Sequence, residues 1–304
     1  MLTEQPTVMF MMDYMMALVG VLLSVALFTL MERKVMGLMH YRKGPSKVIL
    51  LGLSQPISDA LKLLVKENTK MNSTKITMFM IGPAITLIVM LLMWPMYEFS
   101  FMVMPLTIKI IAIFMMMGLN IYGLLTMSWG SNSKYAMLGG HRAVAQVMSY
   151  EVCLFMAVLV VLFLWKSYSF SLILKMQQGL WTTACVMPLF LLWVMLCLAE
   201  SNRTPFDMAE GESEIVSGFN IEYGGGLFAL IFISEYGMII MMSFVTSLLF
   251  MGENFIMAKT LMVTLLFVWT RCSFPRVRYN DLMMVSWKMA LPFTLSLLNL
   301  SIMV

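Results

Sequence analysis

Leu180 to Phe250 reads LWTTACVMPLFLLWVMLCLAESNRTPFDMAEGESEIVSGFNIEYGGGLFALIFISEYGMIIMMSFVTSLLF. Two apolar runs, 180–199 and 225–250, enclose a polar stretch at 200–223. Each run approaches or exceeds the roughly 20 residues that a helix needs to cross about 30 Å of hydrocarbon. The polar stretch carries six carboxylates (Glu200, Asp207, Glu210, Glu212, Glu214, Glu222) and one base, Arg203. Acids clustered at the mouth of a membrane domain bind cations or handle protons. A solvated acidic turn would have the same composition. The pattern predicts two membrane helices joined by an acid-lined loop.

The rest of the chain has the same character. Its 304 residues are 61% apolar and 12% charged, with a mean hydropathy of +0.87. A soluble domain is nearer half apolar and a quarter charged, so the expected class is an all-α integral membrane protein. The longest polar stretch, 32–75, is too short to build a separate core. The opening residues MLTEQPTV are acidic and carry no cleavable signal pattern. Four scattered cysteines (Cys153, Cys185, Cys197, Cys272) form no C-x-x-C pair and read as core residues. His40 and His141 lie in polar segments, whereas haem ligation needs histidines facing each other inside helices. No HExxH, P-loop or GxGxxG pattern is present. No metal site and no cofactor bound by the chain itself are expected. Thirty-eight methionines stand where Ile and Leu are usual, and a genetic code or base composition favouring Met, as in an organelle gene, is the simplest source.

Eight transmembrane helices are expected at about 8–31, 76–94, 105–127, 144–165, 180–199, 225–250, 255–270 and 282–302, in one membrane domain over 1–304. Residues 55–67 read as a ninth, interfacial helix. There Ile57, Ala60, Leu61, Leu64 and Val65 recur at i, i+3, i+4, i+7 and i+8, which is one helical face. Ser54 is positioned to cap it, and Pro56 fits its first turn. Lys109, near the start of the third span, is expected to snorkel to the surface. The stretch SWGSNSKYAMLGGHRA, 128–143, reads as a compact turn. Eight spans put both termini on one side and the four longer loops on the other. Those loops hold fifteen of the twenty Lys and Arg, so they are expected on the matrix or cytoplasmic side.

Glu151 and Glu235 are the sharpest signals, because both fall within apolar spans. An ionisable group at a span centre costs about 2.5–3.5 kcal/mol on insertion scales, so such residues usually serve a function. A protonated carboxyl bonded to a neighbouring helix is the structural alternative. Glu210, Glu212 and Glu214, at i, i+2 and i+4, would titrate as a coupled set. A Ca²⁺ site is a rival there, but the spacing does not match an EF-hand loop. Arg33, Lys34, Arg42, Lys43, Arg271, Arg276 and Arg278 lie where membrane meets water. They suit lipid headgroups, topology anchoring or an acidic partner protein.

Six motifs then carry a resemblance. MERKVMG, YRKGPSKV, QPISDALKLLVKE, LGGHRAVAQVMSYE, AESNRTPFDMAEGESEIVSGFNIEY and RCSFPRVRYNDLM run in order from Met31 to Met283. They resemble subunit 1 of NADH:ubiquinone oxidoreductase, respiratory complex I, in its mitochondrially encoded form. The methionine excess is similar to that of invertebrate mitochondrial proteins. His141 departs from the family pattern, which has Leu or another large residue there. The resemblance implies a core membrane subunit of the respiratory chain enzyme, an H⁺-translocating NADH:ubiquinone reductase of electron transport, with no activity in the isolated chain. It implies a quinone tunnel with its mouth between 17–28, 57–65 and 227–233. It implies a proton path through Glu151, Glu200, Asp207, Glu210, Glu212, Glu214, Glu222 and Glu235. Arg33, Lys34, Arg42, Phe228 and Arg278 are expected at the tunnel or the docking surface. Ubiquinone is the implied substrate, with FMN and iron–sulfur clusters on partner subunits. The implied partners are peripheral-arm quinone-module subunits, neighbouring membrane subunits and lipids such as cardiolipin, and no nucleic acid. The implied location is the mitochondrial inner membrane, with the long loops in the matrix and the termini on the intermembrane side. The membrane subunit of an energy-converting hydrogenase and a stand-alone ion carrier are the alternatives.

Overall fold

A computed structural model describes residues 4–48, 51–67, 74–96, 108–208, 211 and 218–303. Among the described residues the regular elements are all helical. They are α1 (Glu4–Met39), α2 (Gln55–Val65), α3 (Ile76–Met93), α4 (Lys109–Ser131), α5 (Lys134–Trp165), α6 (Phe170–Met176), α7 (Thr182–Cys185), α8 (Met187–Glu200), α9 (Gly225–Thr246), α10 (Ile256–Ser273), α11 (Tyr279–Met284) and α12 (Leu291–Met303). Among the described residues six segments are long and apolar enough to cross a membrane: Tyr14–Met39, Ile76–Met96, Lys109–Ser131, Lys134–Trp165, Gly225–Met251 and Ile256–Ser273. The protein is an all-α membrane protein. Near the C-terminus, α11 passes into α12 through the wider-wound turn Val285–Ala290 without a break in the helical backbone.

Four local expectations change. The run at 180–199 is not one helix, because the chain leaves α7, turns at Val186 and starts α8 with Pro188 in its first turn. The stretch 128–143 is almost entirely helical. Only Asn132 and Ser133 lie outside α4 and α5, and Asn132 reverses the chain in one step by adopting φ 49°. Its small residues serve packing instead of a loop. A Cβ on Gly140 would come within 2.1 Å of Ser128 Cβ, and one on Gly130 within 2.6 Å of the Phe79 nitrogen. Close backbone approach of this kind binds helices where the lipid is as apolar as the side chains. Lys109 does not snorkel, because it is only 2% exposed at the start of α4. Ser54 makes no side-chain cap bond to α2, and its hydroxyl is buried without a partner.

Helix α3 packs along α4, α4 against α5, and α5 against α8 and α12. Helix α9 packs on α3, α10, α1 and α2. Met90, Met93, Ile113, Met117, Leu154, Trp193 and Phe250 are fully buried in the core that results. The order brings α3, α4, α5 and α9 around the end of α8, where the acidic stretch begins. It also brings α1, α2 and α9 into mutual contact, and these carry segments 17–28, 57–65 and 227–233. The apolar side chains of α2 (Ile57, Leu61, Leu64, Val65) are exposed on the chain by itself.

Candidate functional site

The polar stretch after α8 is pinned to the bundle by groups far away in sequence. Gln146, fully buried on α5, donates from Nε2 to the carbonyls of Ala199 (3.0 Å) and Phe206 (2.7 Å). The Val277 amide donates to the Pro205 carbonyl at 3.0 Å, and Arg276 reaches Asp207 Oδ2 at 3.5 Å. Those two contacts tie the RCSFPRVRYND segment to the loop. At the far end, Tyr223 stacks on Phe79 with centroids 4.2 Å apart and donates its hydroxyl to the Phe79 carbonyl at 3.2 Å. Burial raises the Tyr223 hydroxyl above the ordinary phenol range, so it stays a donor. Gly218, at φ 54°, lets the returning chain lie against α5, where a Cβ on Gly139 would come within 2.8 Å of Gly218 Cα. Replacing Gln146 with Leu removes the donor from two buried carbonyls and should cost about 2 kcal/mol or more. The expected result is a lower temperature of thermal inactivation of the membrane-bound protein; an unchanged temperature would show that the loop is held by other contacts.

Three carboxylates converge inside this frame. Glu200, the last residue of α8, is 7% exposed, and its Oε2 has no hydrogen-bond partner. Glu151 on α5 is close enough for its charge to act on Glu200. It sits against α4 at Gly118, where a Cβ would come within 2.5 Å of Glu151 Oε1. Glu235 on α9 shares with Glu200 a cavity of about 30 Å³, also lined by Thr86, Asn120, Asn202 and Ser234. That volume has room for water, and the wall carries polar atoms of the kind water needs.

A second cluster adjoins the first through Arg203. This side chain reaches Glu235 Oε2 at 3.2 Å and lies 4.6 Å over the ring of Tyr236. Tyr236 lies close enough to Glu32 to feel its charge, and Glu32 is paired with Arg271. Glu32 is 5% exposed, near the end of α1. Phe28, Glu32, Arg203 and Arg271 line a common crevice with Phe267 and Ile239. A row of aromatic rings leads to it: Phe228 to Phe232 at 4.4 Å, Phe232 to Tyr236 at 6.1 Å, and Tyr236 to Phe28 at 5.7 Å. Glu32, Arg203 and Gln146 do not stand out in the sequence as site residues. Their motifs were visible, but nothing in spacing couples positions so far apart. Among the described residues no three His, Cys, Asp or Glu side chains gather as metal ligands would.

The family model described as NADH dehydrogenase matches residues 12–303. The chain belongs to the NADH dehydrogenase family. It is 43% identical over 301 residues to NADH-ubiquinone oxidoreductase chain 1 of Balaenoptera physalus, covering 95% of this chain and 94% of the relative. It is 43% identical over 300 residues to the protein of that name in Emballonura alecto, with the same shares covered. The corresponding figure for Priodontes maximus is 42% over 306 residues, covering 97% and 96%.

In this NADH dehydrogenase chain the other singled-out residues spread over one end of the bundle. Arg33 pairs with Asp59 of α2 at 2.6 Å, and Gln55 also holds Asp59, so α1 and α2 are clipped together. Backbone of Lys34 packs on Gly44. Arg42 and Arg278 are exposed, Arg278 at the start of α11. Phe228 is half-buried on α9, and Glu222 is half-buried in the turn before it. Glu210, Glu212 and Glu214 lie outside the described residues.

Proposed function

We propose that this chain is the core membrane subunit of a mitochondrial NADH:ubiquinone oxidoreductase, joining a quinone tunnel to a line of carboxylates that passes protons into the membrane. The observation that carries the reading is the junction at Arg203. One side of that guanidinium meets Glu235 and the carboxylate cavity, and the other side borders the Glu32–Arg271 crevice at the end of the aromatic row. The names of the relatives support the enzyme and its substrate. The protein sits in the mitochondrial inner membrane as a multi-pass chain. Eight spans place the long loops in the matrix and the termini on the intermembrane side. FMN and iron–sulfur clusters belong to partner subunits of the peripheral arm. Lipids, cardiolipin among them, cover the outer faces.

A flat apolar ring compound enters where α1, α2 and α9 meet and is led along Phe228, Phe232, Tyr236 and Phe28. Reduction at a partner's cluster creates negative charge and a demand for protons. The charge is felt at Arg271, Glu32 and Arg203. Arg203 in turn changes how strongly Glu235 holds a proton, because a cation within hydrogen-bond reach favours the ionised carboxyl. Proton occupancy then shifts along Glu200, Glu151 and the loop acids Asp207, Glu210, Glu212, Glu214 and Glu222. Arg33, Lys34, Arg42 and Arg278 serve the tunnel rim and the docking surface.

The test is native gel electrophoresis of gently solubilised membranes, stained for NADH dehydrogenase activity, with this chain located by mass spectrometry. The expected result is migration with the activity in a very large complex. Migration alone, or with hydrogenase subunits, would overturn the proposal in favour of a carrier or an energy-converting hydrogenase.

A further inference from the structure

The cavity shared by Glu200 and Glu235 contains a side chain that nothing above assigns. Asn120 lies on α4 and lines the cavity. Its Oδ1 is buried and has no hydrogen-bond partner, and the same holds for Asn202 Oδ1 and Glu200 Oε2. All three belong to residues that wall the one cavity, beside the hydroxyls of Thr86 and Ser234. A buried polar atom without a partner costs about 1–3 kcal/mol. Three such costs in one place imply that something polar fills the space. The cavity of about 30 Å³ has room for water.

We propose that Asn120, with Asn202, holds water between Glu200 and Glu235, and that Asn120 is thereby a positioning residue for proton passage between these two carboxyls. The amide of Asn120 accepts or donates but does not titrate, so it orders the water without becoming a proton trap. A proton leaving one carboxyl goes to the water oxygen as a proton of that oxygen passes to the other carboxyl. Charge and atoms balance, and no co-reactant is needed. Helix α4 contributes through its geometry: Gly118, two residues before Asn120, makes the room that Glu151 occupies beside it. Helix α4 therefore meets all three membrane carboxyls, Glu151 at Gly118 and the Glu200–Glu235 cavity at Asn120. This inference rests on the acid line being a proton path, as read above.

The test uses the whole complex in sealed membrane vesicles, with variants Asn120→Leu, Asn120→Ser and Glu200→Gln. NADH oxidation by an artificial acceptor normalises for assembly. Asn120→Leu should lower coupled quinone reduction and proton pumping by about fivefold, the size expected for one lost hydrogen-bonded partner. Asn120→Ser, which keeps a hydroxyl, should recover most of the loss. Unchanged turnover in Asn120→Leu, or equal loss in the Leu and Ser variants, would overturn the proposal. If Glu200→Gln also turns over normally, the acid line itself is wrong; if it fails while Asn120→Leu works, only the role of Asn120 is. Should Asn120→Leu not assemble, difference infrared spectra of Asn120→Ser decide. The proposal requires the carboxyl C=O band to shift relative to the parent, and an unshifted band overturns it.

Discussion

Glu235→Leu and Arg203→Met should each remove most of the assembled complex, and the two together should restore assembly but not proton pumping. The Arg203 and Glu235 side chains are 11% and 21% exposed and 3.2 Å apart. Removing either partner takes from the other a counter-charge 3.2 Å away in a poorly hydrated site, at a cost of about 3 kcal/mol. Replacing both with apolar groups of similar size removes the charges together, a change that is often nearly neutral. The double-mutant cycle therefore separates holding the fold from moving protons. Assembly is measured on native gels, and function by quinone reduction and acidification in sealed vesicles. A double variant assembling no better than the singles would mean the pair is not a structural unit. A double variant that pumps normally would remove Glu235 from the proton path.

The second large effect lies in the packing of α4 on α5. Gly140→Ala should sharply lower the amount of this chain found in the complex. The added Cβ would lie 2.1 Å from Ser128 Cβ and 2.3 Å from its hydroxyl oxygen. No rotamer change moves a Cβ, so the two helices must part. Overpacking of this kind costs about 1–3 kcal/mol. It would also displace α4, which carries Asn120 and Gly118, from the carboxyls on α5 and α8. Ser128→Gly in the same chain takes away the obstructing atoms and should bring most of the complex back. A Gly140→Ala variant present at parental levels, or one that Ser128→Gly does not rescue, would contradict the close approach.

How much of this was legible in the sequence depends on the range of the interaction. The amphipathic pattern at 55–67 gave a short helix, because periodicity is local and Pro56 tolerates only a first-turn place. Glu151 and Glu235 stood out because an acid in an apolar run is costly wherever the run packs. The small residues at 128–143 were misleading. Gly, Ser and Asn mark turns in water, whereas among membrane helices they mark close contact. Lys109 was misplaced for a similar reason: a charge at a helix end has two ways to avoid lipid, by reaching water or by burial in protein, and sequence does not choose between them.

The sequence by itself determined that this is a helical membrane protein of the NADH dehydrogenase family, with Glu151 and Glu235 inside its apolar spans. Apolar length, charge placement and motif order carry that information, and each is a property of a continuous stretch of chain. Only the tertiary structure decided that Glu32 pairs with Arg271, that Gln146 pins both ends of the turn after α8, and that Arg203 stands between two polar clusters. Asn120 gained its place beside Glu200 and Glu235 in the same way. The physical reason is that a polar side chain within the bundle must satisfy its hydrogen bonds with whatever faces it. What faces it depends on which sides of α1, α4, α5, α9 and α10 are pressed together.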